Sequence, residues 1–292
     1  MRRNVVWVAL LVMVGVCGTG CMTPKPFRAL SFNIRYDNPD DGPNGWEHRR
    51  DLVVETIVDQ EADVIGLQEA LAPQVTELCA ALPDYGFVGA GREDGFARGE
   101  YVPIFYSKDR FLLVDEGHFW LSDYPERAGS VGWDASLPRV VTWVQLRFKD
   151  APLVQLRVVN VHFDHRGKRA RLESAKLIRR LVESLGGMPV VVLGDFNCAP
   201  GSAPYRTMTE DRQNLTALVD AAATFKTVKK AGTYHGFTGR PSRGRIDWIM
   251  LNRRLESLSA EVDRREWEGR YPSDHFPVAA TIGFRAPVGS HY

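Results

Sequence analysis

Short apolar runs recur along most of the chain, and several stop abruptly at a carboxylate, an amide or an imidazole. Alternation at 27–32 predicts a strand and 63–67 a short buried one; 140–148 and 153–161 form a hairpin across Lys149-Asp150-Ala151-Pro152. Further strands are expected near 87–90, 103–106, 111–119, 189–193, 245–251, 258–262 and 278–284. Helical spacing marks 47–58 through Leu52, Val53, Thr56 and Ile57, and 75–82 as far as Pro83. The clearest helix carries Leu172, Ala175, Ile178, Val182 and Leu185 on one stripe and stops at Gly186-Gly187. The stretch 199–243 is mixed, with helical pieces expected around Tyr205 and Leu218, and the loop 122–138, which holds Trp133, reads as a rim. Helices alternate with antiparallel-looking strands and no repeat interrupts them, which predicts sheets covered by helices, either α/β or α+β.

The first residues break this pattern. Arg2 and Arg3 precede an uncharged apolar stretch at 5–16, then small residues and Cys21, which reads as an export signal over 1–21. The apolar stretch is too short for a spanning helix, which needs about 20 residues. Gly18-Thr19-Gly20-Cys21 looks like a lipoprotein cleavage box, so the expected product is exported to the periplasm or cell surface, either lipid-anchored at Cys21 or freely secreted after ordinary cleavage near the same place. That leaves one domain at 22–286 and a short tail at 287–292. Cys79 and Cys198 alone remain in its body, too few for a disulfide framework, so stability must come from the core. Cys198 has no partner at zinc-site spacing and is read as a packing residue.

With 37 basic against 36 acidic residues the formal charge is +1, and loss of Arg2 and Arg3 would turn it slightly acidic. Overall charge therefore gives no sign of a nucleic-acid binder. Arg166, Lys168, Arg169 and Arg171 do cluster just after His162, as either a solvated helix face or a phosphate-attracting one.

Four apolar runs deliver polar side chains where a buried strand would surface: Leu30-Ser31-Phe32-Asn33, Gly66-Leu67-Gln68-Glu69, Asn160-Val161-His162 and Leu193-Gly194-Asp195-Phe196-Asn197. Asp247 lies in Arg245-Ile246-Asp247-Trp248, and Ser273-Asp274-His275-Phe276-Pro277-Val278 sets a carboxylate beside an imidazole. Singly, each is ordinary turn or surface chemistry. Together they point to phosphate esters, whose anionic oxygens repel a nucleophile until charge is neutralised, water activated and the departing oxygen supported. Hard oxygen ligands with Mg²⁺ meet the first need.

These segments, spread over 30–283, resemble the endonuclease/exonuclease/phosphatase superfamily of metal-dependent phosphoesterases, in a secreted bacterial branch. The resemblance implies an α+β fold: a four-layer sandwich of two packed mixed β-sheets with helices outside each and the active site at one edge. It implies Glu69, Asn33 and Asp274 around Mg²⁺ or Mn²⁺, Asp195 orienting or deprotonating water, and Asn197 donating to the phosphate. It pairs His275 with Asp247, and His162 with Glu100 in the manner of the deoxyribonuclease branch; which histidine protonates the leaving group is left open. Tyr101, Arg139, Asp164, His165 and His235 are weaker candidates. The expected activity is metal-dependent hydrolysis of a phosphate mono- or diester by a monomer. The rival within enzymes is an extracellular DNA or RNA endonuclease with nucleic acid as substrate. A non-catalytic binding protein would be expected to have lost one of Glu69, His162, Asp195, Asp247 or His275, and all five are present.

Overall fold

A computed structural model describes residues 23–210, 216–229, 231–241 and 244–285. The expected leader with Cys21, both ends of the expected domain and the tail at 287–292 lie outside the described residues.

Twelve strands form two six-stranded mixed sheets among the described residues. The first contains β1 (Phe27–Asn33), β2 (Val64–Gln68), β3 (Tyr85–Val88), β4 (Ile104–Ser107), β11 (Leu255–Val262) and β12 (Val278–Phe284), in the order β11-β12-β1-β2-β4-β3. The second contains β5 (Phe111–Trp120), β6 (Val140–Phe148), β7 (Gln155–His162), β8 (Val190–Asp195), β9 (Leu218–Asp220) and β10 (Asp247–Asn252), in the order β5-β6-β7-β8-β10-β9. Each sheet has one parallel pair, β1 with β2 and β7 with β8, and is otherwise antiparallel.

Strand alternation builds the layers. In β1, Phe27 and Ala29 face the other sheet while Leu30 and Phe32 face the helices α1 (Trp46–Asp59) and α2 (Ala72–Ala81). In β8, Leu193 and Val191 face inward while Val190 and Val192 meet α3 (Lys168–Ser184) and the short α4 (Ala203–Thr209). The central strands read as continuous apolar runs because both of their faces are covered. The result is the expected four-layer sandwich.

Where Leu218 was expected in a helical piece, it opens the edge strand β9, paired through Leu218, Val219 and Asp220 to β10. A strand so short shows no alternation, and its pairing comes from the neighbouring strand rather than its own sequence. A single turn, α5 (Lys226–Lys229), follows it. Cys79 and Cys198 are free, half-buried thiols; Cys198 packs beside the α3 core, and burial pushes it up to about 11.

Candidate active site

The parallel pairs place four strand C-termini at one edge, with Asn33 opposite Gln68 and His162 opposite Asp195. Antiparallel β10 enters at the same edge, its Asp247 paired with Asp195. The segment before β12 arrives beside β1, where the Ser273 hydroxyl donates to the Asn33 carbonyl at 2.6 Å. Residues distant in sequence are thus brought together by register alone.

Glu69 and Asn197, each just past its strand, have φ of 64° and 49°, a left-handed conformation uncommon in residues other than glycine. Such strain persists only where the surroundings enforce it. At Asn197 the enforcement is visible: its backbone N–H donates to Asp195 Oδ1 at 2.8 Å, and its amide donates to the Phe163 carbonyl at 3.0 Å and contacts His162 Nε2 at 3.1 Å.

Buried Asp195 stands between the two imidazoles, its Oδ2 at 3.5 Å from His162 Nε2 and 3.8 Å from His275 Nε2. Asn33 Nδ2 donates to Glu69 Oε1 at 2.9 Å and to the same Asp195 oxygen at 3.2 Å, while its Oδ1 accepts from the Arg35 N–H. His275 Nδ1 bonds Asp247 Oδ2 at 2.9 Å. The second acid–histidine pair is looser: Glu100 Oε2 is 3.9 Å from His162 Nδ1 but accepts from Arg92 Nη1 at 2.6 Å.

The two histidines differ in charge. Burial alone would lower His275, yet the Asp247 carboxylate and its hydrogen bond hold it well above the ordinary range, so it carries a proton. Burial and the charges of Arg139 and Arg92 press His162 well below that range, so it is neutral. Burial and the neighbouring Asp247 push Asp195 up to about 7. Burial likewise raises Asp274, reinforced by Glu69 and opposed by His275.

These side chains open into a cleft of about 720 Å³, also lined by Arg35, Arg92, Arg139, His165 and Tyr234. Asn33 and Asp247 sit behind its wall. A more apolar groove of about 550 Å³, lined by α1 residues such as Val54 and by Ala80 of α2, holds none of the predicted site residues.

Of the weaker candidates, Arg139 and His165 line the cleft. Asp164 is buried and accepts from the Ser136, Arg166 and Gly167 N–H groups, ordering the turn into α3. Tyr101 bonds the Phe96 carbonyl and ties down its loop. His235 lies in a loop but is buried, stacked on Phe276 at 4.0 Å between centroids, and does not line the cleft. The expected rim contributes Leu137 to the cleft. In the basic run, Arg166, Lys168 and Arg169 are exposed, and Arg171 bonds the Asp164 carbonyl. Arg92 and Tyr234 line the cleft without having been read from the sequence, because an arginine or tyrosine in a turn carries no positional signal.

A divalent cation fits this site. Glu69, Asp195, Asp247 and Asp274 crowd together, and Asp247 Oδ1 is buried with no hydrogen-bond partner. Asp195, Asp247 and His275 offer ligand atoms within 4.8 Å of one another, although Asp247 and His275 already satisfy each other. The oxygens of Glu69, Asp195 and Asp274 are the hard donors Mg²⁺ or Mn²⁺ prefers.

The sequence profile of the Endonuclease/Exonuclease/phosphatase family matches residues 30–275. A crystal structure of an endonuclease/exonuclease/phosphatase from Bacteroides vulgatus is 38% identical, with a TM-score of 0.81, covering 89% of this chain and 100% of that one. A mannosyl-6-phosphatase from Bacteroides thetaiotaomicron is 32% identical, with a TM-score of 0.81, covering 88% of this chain and all of that one. An uncharacterised protein of Acanthamoeba polyphaga mimivirus is 29% identical over 161 residues, or 52% of this chain and 59% of its own length. The chain therefore spans little more than half of that curated relative. On the family match and the fold, the chain belongs to the endonuclease/exonuclease/phosphatase family, whose members are hydrolases acting on phosphoester bonds.

Proposed function

We propose that the chain is a divalent-metal-dependent phosphomonoesterase acting on a small phosphorylated sugar or similar alcohol, with Mg²⁺ or Mn²⁺ held at Glu69 and Asp274 beside Asn33. The observation that carries the hydrolytic reading is Asp195 lying between two imidazoles of opposite protonation in one cleft. The choice of a sugar monoester is supported by the likeness to a mannosyl-6-phosphatase along nearly the whole chain.

The cation would neutralise phosphate charge as a Lewis acid. Asp195 takes the proton of the attacking water, a task suited to a carboxylate raised to about 7. Protonated His275, fixed in one orientation by Asp247, donates to the phosphate or the departing oxygen. Neutral His162 and the Asn197 amide bond to each other here, and that bond gives way to a phosphate oxygen when substrate enters. Asn33, with its amide nitrogen between Glu69 and Asp195, keeps the two carboxylates apart and oriented.

EDTA should abolish release of nitrophenol from nitrophenyl phosphate, and Mg²⁺ or Mn²⁺ should restore it; hydrolysis indifferent to chelation would refute the metal. Preference for bis-nitrophenyl phosphate, or plasmid nicking in Mg²⁺, would replace the monoesterase with a diesterase or nuclease. We further propose that residues 1–21 export the chain, that Cys21 is its lipid anchor, that 22–286 is the working domain, and that it acts as a monomer; the charge and hydropathy of the leader support the first two.

A further inference from the structure

The cleft holds two buried guanidiniums that hydrolysis as described does not use. Arg92, from the loop after β3, is 8% exposed, and Arg139, just before β6, is 4% exposed. Both line a small void together with Glu100 and His162. Each is only partly engaged: Arg92 Nη1 donates to Glu100, while Arg139 Nη2 meets His165 Nδ1 at 3.0 Å and its Nε lies 3.5 Å from Asp164 Oδ2. The Nε of both is buried without a hydrogen-bond partner. Glu100 and Asp164 offset the two charges, yet buried guanidinium donors left unfilled remain unfavourable until a further acceptor joins them.

Charge and oxygen count say which anion. A phosphate monoester carries about −1.5 to −2 near neutral pH on three terminal oxygens, whereas a diester carries a single charge on two. Guanidinium forks are the side chains best matched to phosphate oxygens. The geometry points to Arg92 and Arg139 as a paired clamp on the terminal oxygens of a phosphate monoester dianion, with Glu100 anchoring Arg92 rather than orienting His162. The clamp rests on the phosphomonoesterase reading and makes these arginines its specificity determinants. The distances agree with the division of labour, since Glu100 is 2.6 Å from Arg92 and 3.9 Å from His162.

The test compares kcat/KM for nitrophenyl phosphate and methyl nitrophenyl phosphate in wild type, Arg92→Gln and Arg139→Gln. The ratio of monoester to diester activity should fall about 10²-fold in each variant, the scale set by removing one donor to a transferring group. Arg92→Lys and Arg139→Lys, which keep the charge but lose the fork, should give intermediate ratios. Equal losses on both esters would mark a structural role and overturn the clamp. Glu100→Gln should reproduce the ester selectivity of Arg92→Gln; a shifted pH profile with equal loss on both esters would return Glu100 to His162. Should wild type hydrolyse neither ester, the phosphomonoesterase reading fails, and calorimetric titration with inorganic phosphate decides the clamp separately. Binding that weakens about 10²-fold in either Gln variant supports it, whereas unchanged or absent binding overturns it.

Discussion

Asp195 ionises only against resistance, because it is buried beside Asp247 and Glu69. Asp195→Asn keeps its volume and removes the base, so kcat should drop by roughly 10³ with the fold retained; near-normal turnover would contradict the assignment. The same substitution has a pH signature without metal. Between the ordinary carboxylate value of about 4 and the raised value of about 7, native Asp195 holds a proton that the unfolded chain has released. The stability owed to that group therefore falls as pH rises through this window. In EDTA, the Asp195→Asn variant should gain stability over wild type from about pH 4 to about pH 7 and hold its lead above that. Mg²⁺ held at Glu69 and Asp274 should narrow the gap, because a nearby cation favours ionised Asp195. A pH-independent difference in melting temperature would show that Asp195 is not raised.

At the level of elements, the site was legible wherever a strand end carried its own side chain outward. Asn33, Glu69, His162 and Asp195 follow from apolar runs that stop, Asp247 from one that starts, and the register of β1 with β2 and of β8 with β7 and β10 does the rest. What the runs could not reveal was contact between sheets. Asn160 is the example: it reads as a polar break in an apolar run, yet its Nδ2 donates to the Leu67 carbonyl at 2.7 Å and the Pro103 carbonyl at 2.8 Å, and its Oδ1 accepts from Gln68 Nε2. It ties β7 to the end of β2 directly beneath Glu69. Gly66 makes room for it, since a Cβ there would lie 1.8 Å from Leu193 and 2.9 Å from the Asn160 side chain. β9 and the cleft-facing Arg92 were illegible for a related reason: an edge strand and a turn arginine are defined by their neighbours. Asn160→Leu should remove three buried hydrogen bonds, leaving the Pro103 carbonyl its Leu67 N–H and the Gln68 amide its Gly66 carbonyl, and should cost about 3 kcal/mol in urea unfolding. A cost below about 1 kcal/mol would show that the bridge is dispensable.

Across the whole molecule, two helix-covered sheets form a scaffold whose one edge gathers carboxylates from both, while the chain as a whole has a formal charge of only +1. That arrangement concentrates chemistry without a net basic excess to draw a long nucleic acid, which agrees with the small ester proposed as substrate. On the proposed reading, the leader delivers the chain to its site of action. Cys21→Ser should abolish palmitate labelling and globomycin-sensitive processing, and an unlabelled wild-type product would remove the anchor. The central claim is that one divalent cation is held by Glu69 and Asp274 at the edge where the site residues of the two sheets meet, and crystals soaked in Mn²⁺ test it most directly by anomalous scattering. The account predicts a peak against Glu69 and Asp274 that disappears in Glu69→Gln; no peak in the cleft, or one that persists unchanged in that variant, would contradict it.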